Sequence, residues 1–449
     1  MGGAEGEGLT PIDVVKFTAS FCTLIQRKNN AHRIRVVVGR DARISGSMVN
    51  SLVCNTLVGM GAEVIDLGLS TTPTVEIAVP AEKAHAGIIL TASHNPIQWN
   101  ALKLLNEKGE FISAAEGAEV LRIAESNEST FAEIHDLGSV LEKSYLHEHI
   151  QHIKSLQLVD AEAIAKADLH VAVDAVNSSG GIFIPALLDA LGVKRIERIH
   201  CEPNGHFPHN PEPLPEHLTD ISNLVKSKGC HMGIVVDPDV DRLAFVCEDG
   251  SVFGEEYTLV AVADYVLSQT PGNTVSNLSS TRALRDITIR NGGTYTAAAV
   301  GEVNVVEAMK HTCAVIGGEG NGGVIYPETH YGRDALAGLA LFLTHFAKKK
   351  LSMTALRDSY PRYEISKNKI ELQPSMDVDA ILKKVESLYP TAQVNTIDGV
   401  KLDFEDGWVH LRKSNTEPIV RVIAEHISKE QAASLAESVM KTVKEVAGI

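Results

Sequence analysis

At 449 residues, 44% of them hydrophobic and 22% charged, the chain is too long for a single hydrophobic core and has the composition of an ordinary soluble globular protein. A net charge of −16 works against general nucleic-acid binding, because the phosphate backbone is repelled; an anionic ligand would need its cations gathered locally. No stretch is apolar enough to span a bilayer, Met1–Leu9 lacks the basic and apolar regions of a signal peptide, and the six cysteines (Cys22, Cys54, Cys201, Cys230, Cys247, Cys313) form no CxxC pair, so a cytoplasmic protein with neither a nucleic-acid nor a membrane partner is expected.

In chain order, short β-branched runs alternate with helical patterns three times. The first set is Ile34–Gly39, Glu63–Leu67 and Ala86–Leu90; the second is His170–Asp174 and Gly233–Val236; the third is Thr274–Asn277, Thr294–Ala298 and Ala314–Ile316. This alternation predicts three α/β layered domains with mixed, mostly parallel sheets, whose ligand-binding loops leave the carboxyl ends of strands. The last part differs. Gly399–Phe404, Trp408–Arg412 and Ile419–Ala424 are closely spaced strands, followed by a helical stretch from Lys429 to Val446, which reads as a small C-terminal α+β domain with an antiparallel sheet. The expected boundaries fall near residues 150, 255 and 365, giving segments 1–150, 151–255, 256–365 and 366–449.

Four constellations carry chemistry. In Ile88-Ile89-Leu90-Thr91-Ala92-Ser93-His94-Asn95-Pro96 an apolar strand ends in a small-residue loop that holds a hydroxyl, followed by Lys103. Such a serine serves as a nucleophile or phosphoryl acceptor if nearby groups neutralise the charge it develops; taken alone, a loop serine is more often a helix cap or turn residue, and a lone lysine a solvated one. The G-x-S-x-G elbow of hydrolases is absent. In Val235-Val236-Asp237-Pro238-Asp239-Val240-Asp241-Arg242 three alternating carboxylates follow an apolar strand. Clustered carboxylates repel one another unless a cation is present, and three oxygen donors leave room for a phosphate oxygen on Mg²⁺, which favours Mg²⁺ over an EF-hand Ca²⁺ loop whose glycine and terminal glutamate are missing here. Arg242 is placed to hold a phosphoryl oxygen.

The third constellation, Ile316-Gly317-Gly318-Glu319-Gly320-Asn321-Gly322-Gly323, lets backbone approach a ligand while Glu319 and Asn321 take sugar hydroxyls; Gly-rich loops after strands are common, so alone it is weak. The fourth, Arg412-Lys413-Ser414-Asn415-Thr416-Glu417-Pro418 with Arg421 beyond, offers guanidinium, hydroxyl and amide donors suited to a phosphate dianion, against the plainer reading of a polar hairpin turn.

Together, and in this order, the four stretches resemble the α-D-phosphohexomutase family across nearly the whole chain. Thr-Ala-Ser-His-Asn-Pro is similar to its phosphoserine loop, Asp-x-Asp-x-Asp-Arg to its metal loop, Gly-Glu-Gly-Asn-Gly-Gly to its sugar-recognition loop and Arg-x-Ser-Asn-Thr-Glu-Pro to its phosphate-binding loop; Gly39-Arg40-Asp41-Ala42-Arg43-Ile44-Ser45-Gly46 matches an early family motif. The resemblance implies four domains around a central cleft. It also implies a hexose monophosphate substrate, a hexose 1,6-bisphosphate intermediate, and Ser93 as phosphoryl carrier. Mg²⁺ would be held by Ser93, Asp237, Asp239 and Asp241. Lys103 would be the acid/base or charge partner, with His94 and Arg40 shaping the serine loop; Glu319 would fix the sugar, and Arg412, Ser414, Asn415, Thr416 and Arg421 the non-reacting phosphate.

Two departures bear on these expectations. Family members usually begin with a strand and an S-G-I-R-G-like segment whose arginine faces the serine, so the first strand of segment 1–150 is expected to be missing. The sugar loop lacks the Ser and His of the common G-E-x-S-G-H form, and Glu302 stands where some members carry a histidine. That variant leans toward glucosamine phosphate, with Glu302 or Asp334 as an acid for the ammonium at C2, and with glucose and mannose phosphates as the alternative. A phosphoserine phosphatase and a non-catalytic sugar-phosphate-binding homologue are the competing functions; the second phosphate site argues against the first, and the intact Ser93 and aspartates against the second.

Overall fold

The computed structural model of the chain describes residues 8–373, 376–413 and 419–448. It divides into two compact units, Met1–Tyr265 with Asn321–Arg357, and Val266–Gly320 with Asp358–Ile449.

The first unit opens with a helix, Pro11–Asn29, whose start is fixed by Thr10: its hydroxyl accepts from the Asp13 N–H while the Asp13 carboxylate accepts from the Thr10 N–H. Two sheets follow. The first contains β1 (Arg35–Arg40), β2 (Glu63–Leu69), β3 (Ala86–Leu90), β4 (Leu102–Leu105) and β5 (Ser139–Glu142) in the order β4-β3-β1-β2-β5. β1 runs parallel to β2 and β3, β2 parallel to β5, and only β4 is antiparallel to its neighbour β3. Alternate residues of β1 serve two cores. Val36 and Val38 pack with Val14, Phe21, Ile25, Val49 and Val53, whereas Val37 packs with Val75, Ala78, Val79 and Ile89. A sheet covered on both faces explains why β1 and β3 read as unbroken apolar runs.

The second sheet contains β6 (His170–Asp174), β7 (Arg195–Ile199), β8 (Met232–Val236) and β9 (Leu243–Cys247) in the order β7-β6-β8-β9. β6 is parallel to β7 and β8, and β9 is antiparallel to β8. The two sheets thus share one device: a buried parallel strand, β3 or β8, turns back into an antiparallel edge strand through a loop at its carboxyl end. Those two loops are the Ser93 and Asp237–Asp241 segments. A short strand, β13 (Gly323–Ile325), and the helix Ala335–Lys349, buried from Ala335 through Phe346, complete this unit.

In the second unit β10 (Asn273–Asn277) lies between β11 (Tyr295–Ala298) and β12 (Ala314–Glu319), parallel to both. The C-terminal sheet is wholly antiparallel, with β14 (Glu364–Glu371), β15 (Gln393–Asn395), β16 (Val400–Asp403), β17 (Gly407–Lys413) and β18 (Ile419–His426) in the order β14-β18-β17-β16-β15. Helices Val378–Ser387 and Lys429–Ala447 bury Leu382, Val385, Ala436, Val439 and Val443 against Val400, Leu402, Leu411, Val420 and Val422. Three α/β layers with mixed sheets and one small α+β domain are the expected fold class. Among the described residues no helix is long and apolar enough to cross a membrane.

Candidate active site

The Ser93 loop is built around a buried arginine. Arg43 is 1% exposed, and its guanidinium donates to the carbonyl oxygens of Ser93 (2.5 Å), Asn95 (2.8 Å), Pro96 (2.7 Å) and Trp99 (2.9 Å). Its Nε donates at 3.0 Å to Asp41 Oδ2, which also accepts from Thr91 Oγ1 at 2.7 Å, and Thr91 Oγ1 in turn accepts from the Ser93 N–H at 2.9 Å. Four guanidinium contacts on one loop leave it little freedom, and Ser93 is held at a φ of 49°, the left-handed region that a non-glycine residue enters only under constraint. The loop-shaping place expected for Arg40 is occupied by Arg43. Arg40 donates instead to the carbonyl of its neighbour Asp41 at 3.1 Å.

Ser93 Oγ donates to Asp237 Oδ2 at 3.0 Å and lies 3.4 Å from His94 Nδ1. On its other side His94 Nε2 faces Arg242 Nη2 at 3.4 Å. An arginine only donates, so Nε2 accepts and the ring proton sits on Nδ1, toward Ser93. Burial and the Arg242 charge push His94 down to about 4, which keeps the ring neutral. Arg242 also pairs with Glu212 at 3.3 Å.

All three aspartates are completely buried, and one carboxylate oxygen of each comes within 4.8 Å of the others. Burial, then the Asp241 and Asp239 charges, push Asp237 well above the usual carboxylate range. Asp241 is moved the other way: burial would raise it, but Arg333, Lys103 and Arg242 outweigh that and hold it well below its ordinary value. Lys103 Nζ donates to Asp239 Oδ2 at 2.6 Å and Asp241 Oδ2 at 3.2 Å, and Arg333 Nη2 to Asp241 Oδ2 at 2.7 Å. Burial lowers Lys103, but the two carboxylates outweigh it and raise it, so it stays an ammonium. The Thr72 hydroxyl donates to Asp239. Yet Oδ1 of Asp239 and Oδ1 of Asp241 are buried without a hydrogen-bond partner. Two orphaned anionic oxygens beside a third carboxylate are a donor set that suits a hard divalent cation, and Mg²⁺ fits it.

Lys103 reaches this cluster because β4 is the antiparallel partner of β3, placing Lys103 opposite Ile89. Arg333 and Thr72 were not singled out in the sequence. Arg333 follows Gly332, where a Cβ would meet Glu76 Oε2 at 2.1 Å, so a side chain there would displace the Glu76 carboxylate. Behind it runs a buried chain: His330 lies 3.2 Å from Glu76 and 3.3 Å from Asp334, and Asp334 also meets His149 Nε2 at 3.1 Å. Asp334 caps helix Ala335–Lys349 through the N–H groups of Leu336 and Ala337. These commitments remove it as an acid for a sugar C2.

In the second unit Glu319 is 4% exposed, and its Oε1 accepts from Asn277 Nδ2 at 2.8 Å and the Gly301 N–H at 3.2 Å. Glu302 is buried as the first residue of helix Glu302–Thr312. Arg412 on β17 stands directly opposite Arg421 on β18, and its Nε lies 3.0 Å from Asp398, which also accepts from the Val300 N–H at 3.0 Å. Like charges opposed across an antiparallel pair repel, and Asp398 offsets the Arg412 charge while Arg421 is exposed to solvent. Ser414, Asn415 and Thr416 lie outside the described residues. Asn321 belongs to the first unit, where its Oδ1 accepts from the Gly323 N–H at 3.2 Å.

The chain is similar to known proteins in sequence and fold. Residues 2–131, 147–250 and 254–363 match phosphoglucomutase/phosphomannomutase α/β/α domains I, II and III, and residues 368–442 match the C-terminal domain. A phosphoglucomutase/phosphomannomutase of Thermococcus kodakarensis is 36% identical over 447 residues, 99% of this chain and 97% of its own. A probable phosphoglucosamine mutase of Methanopyrus kandleri is 29% identical over 414 residues, 91% of this chain and 90% of its own. A crystal structure of a phosphoglucomutase/phosphomannomutase family protein from Burkholderia thailandensis superposes with a TM-score of 0.85 at 25% identity, covering 99% of this chain and 95% of that one.

Proposed function

The chain belongs to the α-D-phosphohexomutase family and is a phosphohexomutase; from that premise we propose that it interconverts hexose 6- and 1-phosphates through phospho-Ser93 and a hexose 1,6-bisphosphate, with glucosamine phosphate as the preferred substrate. The observation that carries the reading is Ser93 Oγ, 3.0 Å from Asp237 within a cluster of three buried aspartates, on a loop fixed by Arg43. Mg²⁺, held by Asp237, Asp239, Asp241 and the phosphorylated Ser93, would offset charge on the transferring oxygens.

The remaining work falls to the protein's own groups. In transfer the Ser93 Oγ–P bond breaks as the sugar O–P bond forms, the sugar hydroxyl loses its proton, and Ser93 Oγ regains one. Asp237 Oδ2 accepts that serine proton in the dephosphorylated state. His94, neutral with Nδ1 toward Ser93, supports the serine oxygen, and Arg242 offers its guanidinium to a phosphoryl oxygen. Lys103, kept an ammonium, acts as the charge partner more readily than as a base. Glu319 takes the sugar hydroxyls, and Arg412 with Arg421 takes the phosphate that is not reacting. Segments 1–150, 151–255, 256–365 and 366–449 accordingly serve as phosphoserine, metal, sugar and phosphate domains, in a cytoplasmic enzyme whose cysteines are unpaired among the described residues.

For the sugar, Glu302 is the acid that supports glucosamine, being buried in the same unit as Glu319. A charge-assisted hydrogen bond from the C2 ammonium to Glu302 would favour glucosamine over the hydroxyl analogues. The names of relatives support both this choice and its alternative, glucose or mannose phosphate. Comparing kcat/KM for glucosamine, glucose and mannose 6-phosphates, each primed with its bisphosphate, decides the matter. The highest value is expected for glucosamine; an equal or higher value for either other sugar overturns the sugar choice, and no turnover of any overturns the mutase reading.

A further inference from the structure

At the carboxyl ends of β6 and β7, away from the three-aspartate loop in sequence and ligand set, Asp174, His200 and His209 converge. His200 Nδ1 and His209 Nε2 both lie 3.0 Å from one oxygen, Asp174 Oδ2, and the three atoms fall within 4.8 Å of one another. The other oxygen, Oδ1, accepts from the Val176 N–H at 2.9 Å. Asp174 is 1% exposed and the rings are half-buried, so the cluster has a protected carboxylate and a route from solvent.

Proton bookkeeping makes the cluster unusual. His209 Nδ1 faces the carbonyl oxygen of Asn210 at 2.8 Å while Nε2 faces the carboxylate. Both are acceptors, whereas a neutral imidazole has a single donor nitrogen. Either the ring carries an extra proton, or a cation sits where the Nε2 proton would be. In the second case the Nδ1–H keeps its bond to Asn210, the arrangement by which metal-binding histidines are oriented through their distal nitrogen. The distal Nε2 of His200 lies 3.7 Å from Asp220 Oδ2, beyond hydrogen-bond distance. Donor atoms at ordinary Zn²⁺ bond lengths in a tetrahedron stand about 3.3 Å apart, within a few tenths of an ångström of the 3.0 Å contacts.

The backbone carrying these donors is held in costly conformations. Val176, Asn177 and His200 have φ of 47°, 53° and 51°, and for a β-branched valine that region is a marked outlier. The two loops are tied by the Asn177 N–H, which donates to the His200 carbonyl at 2.6 Å, and by Asn177 Nδ2, which donates to the His206 carbonyl at 3.0 Å.

We propose that Asp174, His200 and His209 form a second cation site, selective for an imidazole-preferring divalent ion of the Zn²⁺ class and distinct from the all-carboxylate Mg²⁺ site. Two nitrogens and one oxygen favour Zn²⁺ over Mg²⁺, and three protein ligands leave a fourth position for water. The ion clips the ends of β6 and β7 to the segment that carries Glu212, the partner of Arg242, and so steadies a residue of the phosphoryl site from behind.

The test uses untagged full-length protein, stripped by chelation, saturated with Mg²⁺ and titrated calorimetrically with Zn²⁺ alone, beside His200→Ala and His209→Ala. Wild type is expected to bind one Zn²⁺ more than either variant, or to bind it at least tenfold more tightly; equal stoichiometry and affinity in all three overturn the proposal. X-ray absorption on Zn²⁺-loaded wild type needs no variant. Scattering from two imidazoles at one or two equivalents is the expected result, and an oxygen-only shell at both loadings overturns the site.

Discussion

The two units hold opposite charge problems and solve them differently. In the first, three buried carboxylates are balanced in place by Lys103, Arg333 and Arg242, with only Oδ1 of Asp239 and of Asp241 left unpartnered. In the second, Arg412 and Arg421 oppose each other across β17 and β18; Asp398 engages the first, and among the described residues no carboxylate pairs with the second. On the proposed function, the site that handles the transferring phosphoryl group stays assembled between turnovers, and its charges are compensated internally. A site that only grips a passing dianion can remain part-compensated and let the ligand complete it. A histidine's charge follows its partners: His330, between Glu76 and Asp334, is raised to about 10 despite burial, whereas burial drives His94 in the first unit and His410 in the second down to about 4.

The largest effect on this charge comparison breaks the negative side. Asp239→Asn, or removal of divalent metal, should lower kcat by about a thousandfold or more, since several kcal/mol of charge stabilisation is lost. The same substitution should lower the unfolding free energy of the metal-free protein, because it leaves the Lys103 ammonium with Asp241 as its remaining carboxylate partner in the cluster. Steady-state kinetics and denaturant unfolding of one variant check both; full activity in strong chelator would contradict the account.

Next comes Arg43→Ala, which strands the buried Asp41 carboxylate and several loop carbonyls. Truncating one partner of such a pair costs about 3–5 kcal/mol, and denaturant titration should show it. Arg43→Lys should restore part of the stability but little activity, because an ammonium cannot reach carbonyls on both sides of the loop.

On the positive side the effects are smaller. Arg412→Ala should raise KM about tenfold or more with kcat less affected, as expected for loss of binding shared by ground and transition states. Arg421→Ala should weaken substrate in the same way while leaving stability unchanged or higher by at most about 1 kcal/mol, since like charges across a strand pair are destabilising. A clear loss of stability would show that the two arginines are not opposed without an anion.

The smallest effect is in pH dependence. The folded value of His330 lies above its ordinary 6.5, so its stabilising contribution is fully present below about 6.5 and is lost as pH rises toward about 10. Wild-type Tm should fall over that window by a few degrees more than that of His330→Gln, measured by calorimetry; parallel profiles would contradict a charged His330.

Much of this was legible in the sequence, for physical reasons. β1, β3, β6 and β8 are buried on both faces and read as apolar runs, and the Ser93 and Asp237–Asp241 loops sit at their ends. β14, Glu-Ile-Ser-Lys-Asn-Lys-Ile-Glu, and the exposed β5 were not legible, because an edge strand carries no such signal. Nor did anything distinguish Arg43 from Arg40: both flank Asp41, and only the tertiary course of the chain turns Arg43 into the loop. Lys103 was visible as a candidate, but its two carboxylate partners depend on the antiparallel β3–β4 pairing. The histidine chain from Glu76 to His149 spans residues too far apart for any spacing rule.

The most direct measurement of the central claim is whether Ser93 carries the phosphoryl group. Protein incubated with Mg²⁺ and hexose 1,6-bisphosphate should gain the mass of one phosphoryl group, about 80 Da, mapped by peptide fragmentation to Ser93, and lose it to excess hexose monophosphate. Ser93→Ala should neither gain that mass nor turn over substrate, with a rate loss on the order of 10⁴-fold or more. If the Ser93→Ala protein is phosphorylated elsewhere and still interconverts the monophosphates, the account is wrong.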